Sequence, residues 1–192
     1  MEKHRLLAMT DGVVAIIITI MVLELKAPNG SDLAALHELW PVFLAYVLSF
    51  IYVAIYWNNH HHYFHLVSRV NGAVLWANFH LLFWLSLIPF STAWLGEHAF
   101  APVPTALYGL SLLMPAIAWW VMQKVIISSQ GEHSPLQNFL GRDLKAKVSP
   151  ALYITGIALS FVAPWAALVC YGIVTLMWLV PDRRIEKMVA QA

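Results

Sequence analysis

The charges of this sequence fall between long apolar runs, hardly ever inside them. That pattern dictates the rest. AVILMFWYC residues make up 60% of the 192 positions and charged residues only 11%, against roughly 25% charged in a soluble domain. A folded chain with so few charges cannot cover its surface with polar groups. It has to sit in a lipid bilayer, which excludes a soluble enzyme, a secreted disulfide scaffold and a disordered chain. The net charge of +1 leaves no electrostatic footprint for a nucleic acid. The single cysteine, Cys170, lies in an apolar run and cannot close an intrachain disulfide.

Continuous apolar runs without period-2 alternation indicate helices and argue against an outer-membrane barrel. The expected fold is all-α and polytopic: one domain, 1–192, with six transmembrane helices. The spans are Leu6–Leu25, Leu39–Trp57, Gly72–Leu95, Val103–Ile127, Ala151–Val162 and Trp165–Val180. The first four reach the span length of about 20 residues. The run Val148–Val180 is too long for one crossing, and Pro164 supplies the break. Lys3 and Arg5 before an apolar run suggest a signal peptide, but no A-x-A-like cleavage site follows and the run has span length, so it is expected to stay as helix 1. An even number of crossings puts both termini on one side. Lys3, Arg5, Arg69, Lys124, Arg142, Lys145, Lys147, Arg183, Arg184 and Lys187 share that side and only Lys26 falls on the other, ten of the 11 Lys and Arg residues. Such a bias makes the termini cytoplasmic. Trp40, Trp57, Trp94 and Trp165 sit near span ends, as interfacial aromatics do. Spans 1–3 and 4–6 show no convincing internal repeat.

Within the spans, Asp11 and His80 are the ionisable residues well away from the ends. A carboxylate costs about 2.5–3.5 kcal/mol at a membrane-helix centre on insertion scales, so Asp11 needs a partner. A hydrogen bond to a neighbouring helix is the expected answer. At 100° per residue, Ile16, Ile20 and Leu23 form one stripe flanked by Thr19, while Asp11 falls about 140° from Ile16. If one of these surfaces faces a pore, the other faces protein. Asn78, His80 and Trp76 enter from the cytoplasmic end at the depth of Thr10 and Asp11. They are expected to partner them in an interhelical network that His60 or His61 joins, because unpaired polar groups in lipid cost several kcal/mol each. His61 and His65 are spaced i, i+4, which suits a metal pair. However, His60, His61 and His62 point around their helix and no Cys, Asp or Glu completes a set, so no metal is expected. Pro89 and Pro115 should kink spans 3 and 4. Glu24 could ring a pore mouth or simply be an exposed end charge.

Arg5 through Leu25 resembles the first helix of the transmembrane protein 175 family of potassium channels. That family's mark is an arginine followed by Phe-Ser-Asp and an isoleucine-rich stretch; here Met9-Thr10-Asp11 keeps the apolar bulk, the hydroxyl and the carboxylate. The segment Tyr56-Trp57-Asn58-Asn59-His60-His61-His62-Tyr63-Phe64 is similar to the family's Trp…His-His…Phe. Leu75-Trp76-Ala77-Asn78, then Phe83 and Leu87-Ile88-Pro89-Phe90-Ser91-Thr92-Ala93, is similar to its third helix. The resemblance implies a homotetramer in a prokaryotic cell membrane, with four copies of helix 1 around a pore for potassium and other monovalent cations. It implies that Ile16 forms the gate, that Ile20 and Leu23 add apolar layers, and that Thr19 contributes to selectivity. Arg5, Met9, Thr10, Asp11, His60, His61, Trp76 and Asn78 then belong to the family motif and its network. Potassium is the permeant ligand and no cofactor is implied. A T-V-G-Y-G filter is absent from the sequence. Neither G-x-S-x-G nor H-E-x-x-H occurs, so the chain is not expected to be an intramembrane protease. A proton-coupled transporter using Asp11 and the histidines is the alternative.

Overall fold

The structure is a computed structural model that describes residues 2–130 and 144–179. Arg142, Arg183, Arg184 and Lys187 of the charge tally, and Val180 at the end of the last span, lie outside the described residues. The elements are α1 (Lys3–Leu23), α2 (Leu33–Glu38), α3 (Trp40–His65), α4 (Gly72–Leu85), α5 (Ile88–Glu97), α6 (Pro102–Gln130), α7 (Leu144–Leu159) and α8 (Pro164–Leu179). Among the described residues all regular structure is helical. Four helical stretches are long and apolar enough to cross a membrane: α1, α3, the consecutive pair α4–α5, and α6; α8 is a shorter apolar helix.

Several boundaries differ from the expected spans, each for a local reason. α3 does not stop at Trp57 but continues through the histidines to His65, because nothing between Asn58 and His65 breaks a helix. The Gly72–Leu95 span is two helices. α4 ends at a turn through Ser86 and Leu87, and α5 restarts with Pro89 in its first turn, where a missing N–H costs nothing. Pro115, by contrast, lies inside the unbroken α6. α7 begins at Leu144, before the expected Ala151, and runs through Pro150. The break before α8 falls at Pro164, as expected. α2 is a short helix in what reads as a loop, started by Asp32, whose carboxylate accepts from the Ala35 amide at 2.9 Å. Asn71 caps α4 in the same way, accepting from Val74 N at 2.9 Å.

The helices pack as neighbours along the chain and across it. α3 lies on α5, α4 and α5 on α6, and α6 on the α7–α8 hairpin. α1 packs on α3, α4 and α5 alone among the larger contacts. Hydroxyl groups buried in the interior pair between helices. Ser49 Oγ bonds Thr92 Oγ1 at 2.7 Å and Tyr108 Oη at 2.9 Å, and Ser91 bonds Ser111 at 2.7 Å. These bonds stitch α3 and α5 to α6 in a region that reads simply as apolar. Tyr171 fills the space opposite Gly109 and Gly156, where an added Cβ would collide with its ring.

At the other end of the bundle from the histidines, the tight α5–α6 connection forces Ala99 and Phe100 to positive φ, 45° and 62°. Such backbone is costly for residues with a Cβ. Burial of Phe100 offsets it. Its ring packs against Trp40 and Trp165 at 5.5 and 5.1 Å, and those two stack on each other at 5.6 Å. Two of the expected interfacial tryptophans thus form one cluster.

Candidate functional site

α1 has two unlike faces. Leu6, Thr10, Val14, Ile17 and Met21 are buried against the rest of the subunit. The opposite side carries Arg5, Met9, Gly12, Ile16, Thr19, Ile20 and Leu23, all exposed. Ile16 is 58% and Leu23 77% accessible. No atom lies within 4 Å of where a Cβ on Gly12 would stand. Lipid satisfies an apolar face, so what sets this one apart is Gly12 and Thr19 along it, a small and a polar position of the kind that helix–helix interfaces in membranes use. Thr19 is the polar position of that face. Its hydroxyl donates to the carbonyls of Ala15 at 3.0 Å and Ile16 at 2.9 Å. With the proton held by the helix's own backbone, the oxygen lone pairs are what Thr19 presents outward.

The buried face is anchored by one hydrogen-bonded chain. Thr10 Oγ1 donates to Leu6 O at 3.0 Å, so it accepts from Asn78 Nδ2, also at 3.0 Å. That orientation turns Asn78 Oδ1 toward His60, whose Nε2 donates to it across 2.8 Å. The ring of His60 stacks on Phe64 with centroids 4.3 Å apart. Thr10, His60 and Asn78 are all buried. α1, α3 and α4 are thereby fixed in register by three side chains. Lys3 adds a second tie. Its ammonium donates to Phe64 O and Val67 O, each at 3.1 Å, at the C-terminal end of α3, where the helix dipole favours a cation. The sequence marks Lys3 only as a topology charge; the antiparallel pairing of the first two long helices is the signal that could have placed it.

The remaining motif residues divide differently from the expected network. Asp11 does bond a neighbouring helix, accepting from Trp57 Nε1 at 2.8 Å. It is nonetheless exposed in the subunit, because it lies about 100° from the centre of the buried face. Asp11 and the Ile16 stripe are thus both on open surface of the single subunit, about 140° apart, with Asp11 on the side that meets α3. Trp76 is 75% exposed and does not reach Asp11. His80 instead accepts from Trp84 Nε1 at 3.0 Å. Both lie two residues from Asn78, about 200° around α4, so neither can share its side. His61 stays outside the buried chain too. It stacks on Trp57 and its Nε2 lies 3.1 Å from His65 Nε2. The sequence reads Trp57 as an interfacial aromatic and misses it as the partner of Asp11. At the far end of α1, Glu24 is exposed, and Lys26 pairs with Glu97 at 2.8 Å, which raises the lysine's pKa above its ordinary value.

These features define an all-α, multi-pass membrane protein whose first helix is locked on one side and open on the other. The family described as the endosomal/lysosomal potassium channel TMEM175 matches residues 5–89. A potassium channel of Chryseobacterium sp. (strain P1-3) is 55% identical over 97% of this chain and 97% of its own length. One from Chamaesiphon minutus is 32% identical over 88% of this chain and 90% of its own. The crystal structure of a homologue of the lysosomal potassium-selective channel TMEM175 from Chamaesiphon minutus superposes with a TM-score of 0.81. It has 31% identity and covers 92% of this chain and 96% of that one. The chain belongs to the TMEM175 family. It is accordingly an ion channel of the cell membrane and not an enzyme.

Proposed function

We propose that this chain is the subunit of a homotetrameric potassium channel in which four α1 helices surround the pore. The observation that carries the proposal is the open stripe of α1. Its apolar side chains are unburied in the subunit while the reverse face is fixed by Thr10, Asn78 and His60. Four such stripes meeting at an axis bury one another. Ile16 is assigned as the narrowest closed layer, with Ile20 and Leu23 as further apolar layers. A ring of butyl groups excludes water and blocks ions by dewetting. Thr19, offering lone pairs outward, is assigned to ion selection. Potassium is the easiest of the common cations to dehydrate, and in the absence of a carbonyl filter such a pore discriminates modestly. The relatives named potassium channels agree with that ion. Six crossings with both termini in the cytoplasm are proposed from the ten-to-one distribution of Lys and Arg.

Potassium flux into liposomes holding purified protein tests the gate. Ile16→Asn replaces butyl groups with amides that hold water, so basal flux rises. Equal flux from mutant and wild type at matched tetramer levels removes Ile16 from the gate. Thr19→Val is expected to alter the potassium-to-sodium preference with less effect on basal flux. Cysteines at Ile16, Ile20 and Leu23 should cross-link between subunits; ready labelling from lipid refutes the axial position of α1. The proton-coupled transporter is the weaker proposal. Asp11 receives its hydrogen bond from an indole N–H, which donates only, and His60 bonds an amide.

A further inference from the structure

Four histidines crowd the last two turns of α3, and the hydrogen-bonded anchor of α1 uses only His60. Along the sequence, His60, His61 and His62 point around the helix, which argues against a metal. The structure bears that out for two of them. His60 turns inward to Asn78, and the ring of His62 stands edge-on to that of His61 with centroids 5.7 Å apart. His61 and His65, one helical turn apart, behave differently. Both are exposed, their rings stand nearly perpendicular with centroids 4.6 Å apart, and their Nε2 atoms are 3.1 Å apart.

That last distance matches a chelate. Metal–imidazole bonds are about 2.0–2.1 Å long. Two such nitrogens on one ion, at angles between square and tetrahedral, stand about 2.9–3.4 Å apart. As the rings lie, one proton bridges the two nitrogens, one donating and the other accepting. A metal ion takes the place of that proton and accepts both lone pairs, so little has to move. His61 is held by stacking on Trp57 at 5.7 Å, and Trp57 is fixed in turn by its bond to Asp11 at 2.8 Å. Outer contacts of this kind set the orientation of a ligating ring. His65 is the last residue of α3, and the carbonyl end of a helix favours a cation. Lys3, the neighbouring cation, has its ammonium turned to Phe64 O and Val67 O.

We infer that His61 and His65 form a chelating site for a divalent first-row transition metal ion. Two imidazoles suit Cu2+, Ni2+ and Zn2+, with Cu2+ held most tightly, and are poor ligands for Mg2+ and Ca2+, which take oxygen. Among the described residues no third His, Cys, Asp or Glu joins the pair. Water completes the coordination, and the ion exchanges with the aqueous phase.

The test is calorimetric titration of tag-free, full-length protein in detergent micelles with Cu2+, read in parallel by electron paramagnetic resonance. The wild type is expected to bind one more equivalent of Cu2+ per subunit than the His61→Gln/His65→Gln double variant, and that equivalent should show coupling to two imidazole nitrogens. Taking the difference sets aside copper held at the N-terminus or by other histidines. Each single variant, His61→Gln or His65→Gln, should weaken this equivalent at least about tenfold, the lower end of what loss of a mere outer-shell partner costs a metal site. His62→Gln should leave it unchanged, as should excess Mg2+. Equal copper binding by the wild type and the double variant overturns the site, and so does a single variant of undiminished affinity. Loss of the equivalent in His62→Gln overturns the chelate in favour of a diffuse histidine cluster. The readout is binding, so it stands whatever the flux assays say about the pore.

Discussion

Replacing Asn78 with leucine removes the central member of the Thr10–Asn78–His60 chain while nearly conserving volume. Two hydrogen bonds, of 3.0 and 2.8 Å, disappear. Interhelical bonds in membrane proteins are worth ~0.6 kcal/mol on average and up to about 1.7. Thr10 keeps its own donation to Leu6 O and loses little more. His60 fares worse, because its Nε2–H is left buried without an acceptor, at a further cost of about 1–3 kcal/mol. The sum is about 2–4 kcal/mol for Asn78→Leu. Thr10→Val removes both the bond from Asn78 and the local donation to Leu6 O, keeps the His60–Asn78 pair, and leaves Asn78 Nδ2 buried without an acceptor, so it should cost about 1.5–3.5 kcal/mol. Equilibrium unfolding in mixed micelles, followed by far-UV circular dichroism over a titration of sodium dodecyl sulfate, measures both. The size of both losses is the diagnostic. If either variant falls within about 0.5 kcal/mol of wild type, the three residues do not form the anchor of α1.

Gly109→Ala drives a methyl into the Tyr171 ring and Ile157 and should destabilise the subunit by about 1–3 kcal/mol. Gly12→Leu meets nothing within the subunit, so it should leave the helical content unchanged and disturb the tetramer; intact tetramers by multi-angle light scattering, with normal flux, would place α1 away from the axis. Trp57→Phe deletes the donor to Asp11 but keeps an aromatic ring beside His61. The loss should be under about 1.7 kcal/mol because Asp11 is exposed, and a shift in potassium-to-sodium reversal potential would instead make Asp11 a pore residue. Tyr63→Phe removes a buried hydroxyl with no partner among the described residues and should match or exceed wild-type stability by up to about 1 kcal/mol in the same unfolding assay.

The apolar helical spans, the Pro164 break and the two-faced character of α1 are legible in the amino-acid order. All three follow from the spacing of apolar residues and breakers along one helix. Pro164 divides α7 from α8 because a proline ring cannot continue the preceding turn, and the Ile16–Ile20–Leu23 stripe follows from 3.6 residues per turn. The pairing of Thr10 with Asn78 was also within reach, since both lie at one depth from the same membrane face. What the order could not decide was which of several polar neighbours each group would meet. Trp76, Asn78 and His80 are nearly equivalent in depth, yet only Asn78 faces α1. His60 and His61 are adjacent in sequence, yet one is buried and the other open. Those outcomes depend on the rotation of α3 and α4 about their own axes. That rotation is set by packing contributed by the whole bundle, including the Ser49–Thr92–Tyr108 stitching and the fit of Tyr171 over Gly109. The cavity beside Trp120 has the same origin: its walls come from four helices, and only their packing together creates the space between them.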